Sequence, residues 1–206
     1  MSARIERTVT SGVFALDGGR WDVDNNVWVV GDDDECLVVD APHDARAIAD
    51  LVAGRRVTAI ACTHAHNDHV DAALELAALV DAPVLLHPAD RVLWDRTHPD
   101  RPPHGELSDG QTLTVAGVPV TVLHTPGHSP GSCCLSVPAL GAVFTGDTLF
   151  AGGPGATGRS YSDFDTIVDS ITRRLLTLPA DTTVYTGHGE TTTIGAEAPH
   201  RAEWTA

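Results

Sequence analysis

His64, His66, Asp68 and His69 put four metal-ligating side chains within six residues, immediately after the apolar run 57–62. The chain has 11 His in 206 residues, so three at these offsets would arise by chance at about 0.03 per chain, before the Asp is required. The pattern predicts metal binding and limits the backbone that can carry it. On an α-helix His64 and His66 would point about 200° apart, whereas on an extended segment residues i and i+2 lie on one side. The pair therefore belongs at the exit of a strand. Asp68 and His69 would turn toward a different point as the helical pattern 70–80 begins, so one short loop serves two adjacent ions.

A binuclear site needs more ligands than this loop holds, since zinc typically takes four, with a position left for water in a catalytic centre. His128 lies in Thr125-Pro-Gly-His-Ser-Pro-Gly after the strand-like run 118–123. Asp147 lies in Thr145-Gly-Asp-Thr, and His188 in Tyr185-Thr-Gly-His-Gly. Each follows an apolar, β-branched run and is flanked by Gly or Pro, which places it on a loop at a strand's carboxyl end, where ligands of α/β folds gather.

The set His64-x-His66-x-Asp68-His69, then His128, Asp147 and His188, resembles the metallo-β-lactamase superfamily. Thr125-Pro-Gly-His-Ser-Pro-Gly-Ser and Gly146-Asp-Thr-Leu-Phe are similar, more narrowly, to its glyoxalase II-like (hydroxyacylglutathione hydrolase-like) branch. The match runs in order from about Gly12 to His188. The resemblance implies one ion on His64, His66 and His128, a second on Asp68, His69 and His188, and Asp147 bridging the two together with a water or hydroxide. Two divalent ions are expected, zinc first, with iron and manganese also suited to imidazole and carboxylate ligands. Two features depart from glyoxalase II. That enzyme carries a C-terminal helical extension that helps hold glutathione, whereas residues 189–206, 18 in all, follow His188 here. The chain also contains no Lys, all 13 basic residues being Arg, so no lysine grips a carrier's carboxylate. Both weigh against glutathione as the carrier.

Strand-like runs fall at 13–16, 26–30, 36–39, 57–62, 84–86, 112–115, 118–123, 133–137, 142–145 and 183–186, and helical patterns at 44–53, 70–80, 89–94 and 164–178. Two βα-rich halves meet at about Pro103, with 96–110, rich in Pro, Asp and Gly, as the connecting loop. The resemblance makes this an α/β fold, an αββα sandwich of two mixed β-sheets with helices on the outer faces, in a single domain over 1–206. Asp32-Asp-Asp-Glu reads as a solvated hairpin turn.

No run approaches the 18 apolar residues that span a bilayer, and no apolar signal core follows Met1 to Arg7. A cytoplasmic protein without membrane contact is expected. A formal charge of −15 repels phosphate backbones, which argues against nucleic acid as partner. Cys36, Cys62, Cys133 and Cys134 lack zinc-site spacing and read as buried thiols. Oligomeric state is not specified by the sequence.

Outside the ligand set, Asp40 ends the run Leu37-Val-Val-Asp. It either takes the second N–H of a metal-bound imidazole or terminates the strand in a turn. Arg159 and Tyr161 follow a Gly-rich run after Asp147. They either bind the polar groups of a substrate's carrier or cap and pack the next helix. His124 precedes the His128 loop and is placed to buttress it.

A divalent ion lowers the pKa of bound water to about 7, so no Ser or Cys nucleophile is required. A thiolate, with a pKa near 8.5, leaves without a strong general acid, and no dedicated acid is evident. The expected activity is hydrolysis of a small-molecule thioester, an acylated low-molecular-weight thiol, with catalysis depending on Asp68 and Asp147. The resemblance also implies alternatives: a persulfide dioxygenase, since a related branch uses one iron at positions matching His64, His128 and Asp147, and a lactone or β-lactam hydrolase.

Overall fold

The computed structural model describes residues 2–205. The first sheet runs in chain order through β1 (Arg4–Leu16), β2 (Gly19–Gly31), β3 (Glu35–Val39), β4 (Arg56–Ala61), β5 (Val84–Leu86) and β6 (Gly105–Glu106). Its first three strands are antiparallel, and β3 to β6 are parallel. The second sheet contains β7 (Thr112–Val115), β8 (Val118–His124), β9 (Cys133–Val137) and β10 (Ala142–Gly146). The short pair β11 (Leu149–Phe150) and β12 (Gly153–Pro154) follows as a separate ribbon. The second sheet is completed by β13 (Thr183–Thr186), parallel to β10, and β14 (Thr192–Thr193), giving the order β14-β13-β10-β9-β8-β7.

Side-chain alternation builds three apolar layers from these strands. Val27, Val29, Cys36, Val38 and Ile60 face one way, against α1 (Ala45–Val52) and α3 (Ala73–Val80). Their neighbours Trp28, Val30, Leu37, Val39 and Ala61 face the other way and meet Val120, Val122, Leu135 and Phe144 of the second sheet. On the far side of that sheet, Cys134, Val143 and Val184 pack on Ile167, Val168 and Ile171 of α5 (Phe164–Ser170) and the π-turn Ile171–Leu175 that continues it. Strands buried on both faces read as continuous apolar runs, which is why 36–39, 57–62 and 133–137 stood out. This is the expected αββα sandwich of two mixed sheets. All four cysteines are free and buried. Among the described residues no helix is long and apolar enough to cross a membrane.

Several local boundaries differ from the sequence reading. β1 extends back to Arg4, well beyond 13–16, because the whole strand pairs with β2 as one long hairpin. The pattern 70–80 splits: α2 (Asn67–Val70) is a single turn that already contains Asp68 and His69, and α3 begins after Asp71 and Ala72. The break follows from pairing with the chain after β3, since Ala72 N donates to Ala41 O at 3.1 Å and Ala41 N to His69 O at 2.9 Å. The segment 89–94 opens as a 3-10 turn at Pro88–Asp90 and continues as α4 (Arg91–Thr97). The loop 96–110 is not wholly irregular, because β6 within it adds a strand to the first sheet. Asp32 does close the β2–β3 turn, its Oδ1 accepting from the amides of Asp34 and Glu35 at 2.9 and 3.0 Å.

Candidate metal centre

Five of the seven candidate ligands lie just beyond a strand's carboxyl end. His64 and His66 follow β4, His128 follows β8, Asp147 follows β10 and His188 follows β13, while Asp68 and His69 occupy α2. The two sheets thus bring both groups of ligands to one edge of the sandwich. Close approach there leaves no room for side chains at Gly187. A Cβ on it would lie 2.3 Å from Asp147 Oδ1 and 2.8 Å from His69 Cε1.

His66 Nδ1 lies 3.0 Å from both His64 Nε2 and His128 Nε2, making one three-nitrogen set. Asp68, His69 and His188 make another, with His69 Nε2 and His188 Nε2 3.3 Å apart and His188 Nε2 3.4 Å from Asp68 Oδ2. Asp147 stands between them: Oδ1 is 3.3 Å from His69 Nε2, and Oδ2 is 3.6 Å from His128 Nε2 and 3.4 Å from His188 Nε2.

The imidazoles are held from behind. His69 Nδ1 donates to Asp40 Oδ2 at 2.9 Å, His128 Nδ1 to Ala156 O at 2.9 Å and His188 Nδ1 to Asp24 O at 2.7 Å. Thr63 Oγ1 donates to Asp40 Oδ2 at 2.8 Å and lies 3.2 Å from His64 Nδ1, whose proton it can accept. A ring whose outer nitrogen donates outward can turn a lone pair inward. Lone pairs meeting at these distances are mutually repulsive unless a proton or a metal cation lies among them. Asp68 Oδ1 and Asp147 Oδ1, both buried, have no hydrogen-bond partner. The donor set fits divalent ions.

Electrostatics point the same way. Burial, helped by neighbouring imidazoles, pushes His64 well down and His66 to about 3. Burial alone would raise Asp68, yet His69 and hydrogen bonds from His188 and Asn25 outweigh it and carry the carboxyl to about 2. Asp147 is likewise driven well below its ordinary value by His69 and His188 against the effect of burial. Burial disfavours charge on His69 and His188 too, but the surrounding carboxylates win, raising His69 and taking His188 to about 10. The carboxylates create a field that holds positive charge.

Three contributors were not singled out in the sequence. Asn25 of β2, fully buried, directs its amide nitrogen toward Asp68 Oδ2 at 3.1 Å. Thr63 links Asp40 to His64. Asp90, fully buried before α4, accepts at 2.8 Å from both the Ala65 amide and the Ser129 hydroxyl, and also accepts from Gly131 N. It therefore ties the His64–His66 segment to the His128 loop. His124 buttresses that loop from outside, with Nε2 2.9 Å from Pro130 O. The contacts of Asn25 with Asp68, Thr63 with Asp40 and Asp90 with Ser129 are long-range in sequence and leave no local signature.

A cavity of about 210 Å³ opens over the centre, lined by Asp68, Asp147 and His188 and walled by Phe14, Val23, Phe150 and Arg159. Arg159 lies with its guanidinium 4.0 Å from the Trp21 ring centre and 5.1 Å from that of Phe14. Phe14 in turn stacks on Trp21 and contacts His66. Tyr161 stands apart: it is exposed, has φ 72°, and does not line the cavity.

Relatives share this arrangement's framework. The chain is 34% identical over 186 residues to a probable metallo-hydrolase, YqgX, of Bacillus subtilis, covering 84% of this chain and 88% of that one. It is 34% identical over 169 residues to the hydroxyacylglutathione hydrolase of Aeromonas salmonicida, covering 80% of this chain but only 61% of that enzyme's length. Among solved structures, BLEG-1 B3 metallo-beta-lactamase superimposes with a TM-score of 0.80 at 30% identity, covering 96% of this chain and all of that one. TTHA1623 in a di-iron-bound form superimposes with a TM-score of 0.76 at 33% identity, covering 85% and 93%. The family model described as Metallo-beta-lactamase superfamily matches residues 20–188, and the chain belongs to that superfamily.

Proposed function

We propose that the chain hydrolyses a thioester, releasing a carboxylic acid from an acylated low-molecular-weight thiol, with two divalent ions held by the seven side chains described above. The observation that carries this reading is Asp147, whose two oxygens face the two incomplete ligand sets from between them. Zinc suits the sites, and iron or manganese also match imidazole with carboxylate. Bound there, the ions supply hydroxide at neutral pH and positive charge for a developing oxyanion.

His64, His66 and His128 would hold the first ion and Asp68, His69 and His188 the second, with Asp147 placed between the two sets. Asp40, Thr63, Ala156 O and Asp24 O fix the imidazole tautomers. The cavity walls contain no Ser or Cys, and burial pushes the Cys133 thiol far above its ordinary range and the Cys134 thiol up to about 11. The nucleophile is therefore water. A thiolate departs without a protonated partner, which suits a cavity whose carboxyls are both held ionised. Arg159, fixed on Phe14 and Trp21, binds polar groups of the carrier. A groove of about 590 Å³ lined by His66, Arg20 and Arg96 adjoins the centre and receives the rest of it. The partner is a small molecule. Four reduced, buried thiols fit a cytoplasmic setting.

The test is hydrolysis of lactoyl thioesters of glutathione, a sugar thiol and coenzyme A, run beside persulfide-dependent oxygen uptake and metal analysis. Hydrolysis with two ions bound is expected, and Asp68→Ala should abolish it while leaving the fold intact. Oxygen uptake with one iron bound and no hydrolysis would overturn the reading in favour of an oxygenase. An Asp68→Ala protein holding one ion at near wild-type hydrolytic rate would overturn the binuclear mechanism.

A further inference from the structure

Asn25 lies outside every recognisable ligand motif, yet its amide nitrogen comes within hydrogen-bonding reach of all three members of one ligand set. Its Nδ2 is 3.1 Å from Asp68 Oδ2, 3.3 Å from His69 Nε2 and 3.4 Å from His188 Nε2. The residue is fully buried. An amide end pointed at a carboxylate must be the N–H₂ end, because the carbonyl end would set one acceptor against another.

What fixes that orientation is a second buried side chain. Asn25 Oδ1 lies 3.0 Å from His43 Nε2, and His43 Nδ1 lies 3.1 Å from Asp71 Oδ2. The backbone amide of His43 also donates to Asp71 Oδ1, at 2.6 Å. The His43 ring is only 5% exposed. It packs against β1 so closely that a Cβ on Gly12 would fall 2.2 Å from its Nδ1. His43 itself is held at φ 59°, a left-handed conformation uncommon outside Gly, Asn and Asp. Four segments therefore converge to aim one amide: β1 through Gly12, the turn after β3 through His43, the break between α2 and α3 through Asp71, and β2 through Asn25.

We infer that Asn25, clamped by His43 and Asp71, is the positioning residue of the second ion's site, orienting the Asp68 carboxylate so that Asp68, His69 and His188 act as one ligand set. The inference rests on the reading of those three residues as ligands. Asn25 serves that set alone, since its polar contacts reach none of the nitrogens of His64, His66 or His128. Its loss therefore separates the two sites, which a general packing defect would not do.

The experiment titrates metal-free protein with zinc against a chromophoric chelator and resolves the two stepwise affinities. Wild type should take two equivalents. Asn25→Ala should bind the first as wild type does and the second about tenfold to a hundredfold more weakly, the usual cost of removing a partner of a metal ligand. His43→Asn keeps a residue suited to left-handed backbone but is too short to hold Asn25, and should weaken the second equivalent alone. The double variant should be no weaker than Asn25→Ala, because His43 acts through Asn25. If Asn25→Ala does not fold, His43→Asn carries the test by the same split. Equal weakening of both equivalents, or two wild-type affinities in either variant, would overturn the inference. A wild-type protein that takes a single equivalent would instead overturn the two-site reading beneath it.

Discussion

Asp40 accepts from His69 Nδ1 through Oδ2 at 2.9 Å, and its other oxygen accepts from the Thr63 amide at 2.7 Å. One buried carboxylate thus grips the ligand-bearing segment at both its beginning and its end. It sits at φ 60° to do so. Asp40→Ala should lower zinc affinity by about tenfold to a hundredfold, read by competition with a chelator. Unchanged affinity would mean that the imidazole is oriented by other groups.

Asp90→Ala should act mainly on stability. It strands the Ala65 and Gly131 amides in the interior, where an unpaired donor costs about 1–3 kcal/mol. A fall in melting temperature of about 5 °C or more is expected for a chain of this size, with weaker binding of the ion at His64, His66 and His128. A calorimetric scan of the zinc-loaded protein with no shift would contradict it.

Arg159→Ala should raise KM for the true substrate with little change in kcat, the mark of binding lost equally from ground and transition states. Arg159→Lys should not restore it, because an ammonium lacks the planar face that rests on Trp21 and Phe14. Steady-state kinetics of the two variants decide the matter. A fall in kcat at constant KM would place Arg159 at the reacting atoms instead.

Zinc uptake should release protons. His188, raised from 6.5 to about 10, keeps its proton at neutral pH in the metal-free protein, and His69 is raised as well. An ion must displace those protons, so affinity for the second equivalent should climb with pH toward about 10. The metal-free protein should show the opposite trend in stability. The contribution of charged His188 is complete below about 6.5 and is lost as pH rises through about 10. Titration calorimetry in buffers of different ionisation enthalpy counts the protons, and an uptake heat independent of buffer would be inconsistent with this.

The sequence exposed those parts of the molecule that repeat locally. Strands such as Cys133–Val137 are buried on both faces and announce themselves as apolar runs, and the i, i+2 spacing of His64 and His66 already requires extended backbone. The outer half of β1 was not legible. Its solvent-facing positions mix Arg, Glu and Thr, and only pairing with β2 holds it as a strand. The turn of α2 is indistinguishable from loop in the sequence because its four residues are too few to show a period, and backbone pairing to Ala41 ends it. Asn25, Thr63 and Asp90 escaped for a different reason. Each gains its role from a partner distant in sequence, such as Asp68, Asp40 or Ser129, and a lone Asn, Thr or Asp carries no mark of that in its neighbours.

Each half of the chain supplies one sheet and part of the ligand set, His64 to His69 from the first and His128, Asp147 and His188 from the second. Bound ions would rivet the halves together across the seam where β2 also clasps the His188 loop through Asn26 N to Gly187 O at 2.8 Å. Loading and sheet docking are then one linked equilibrium, in which ligand that binds only the docked state stabilises it. A substitution in the inter-sheet layer, at Trp28 or Phe144, would consequently announce itself as leaky metal retention before it appeared as unfolding.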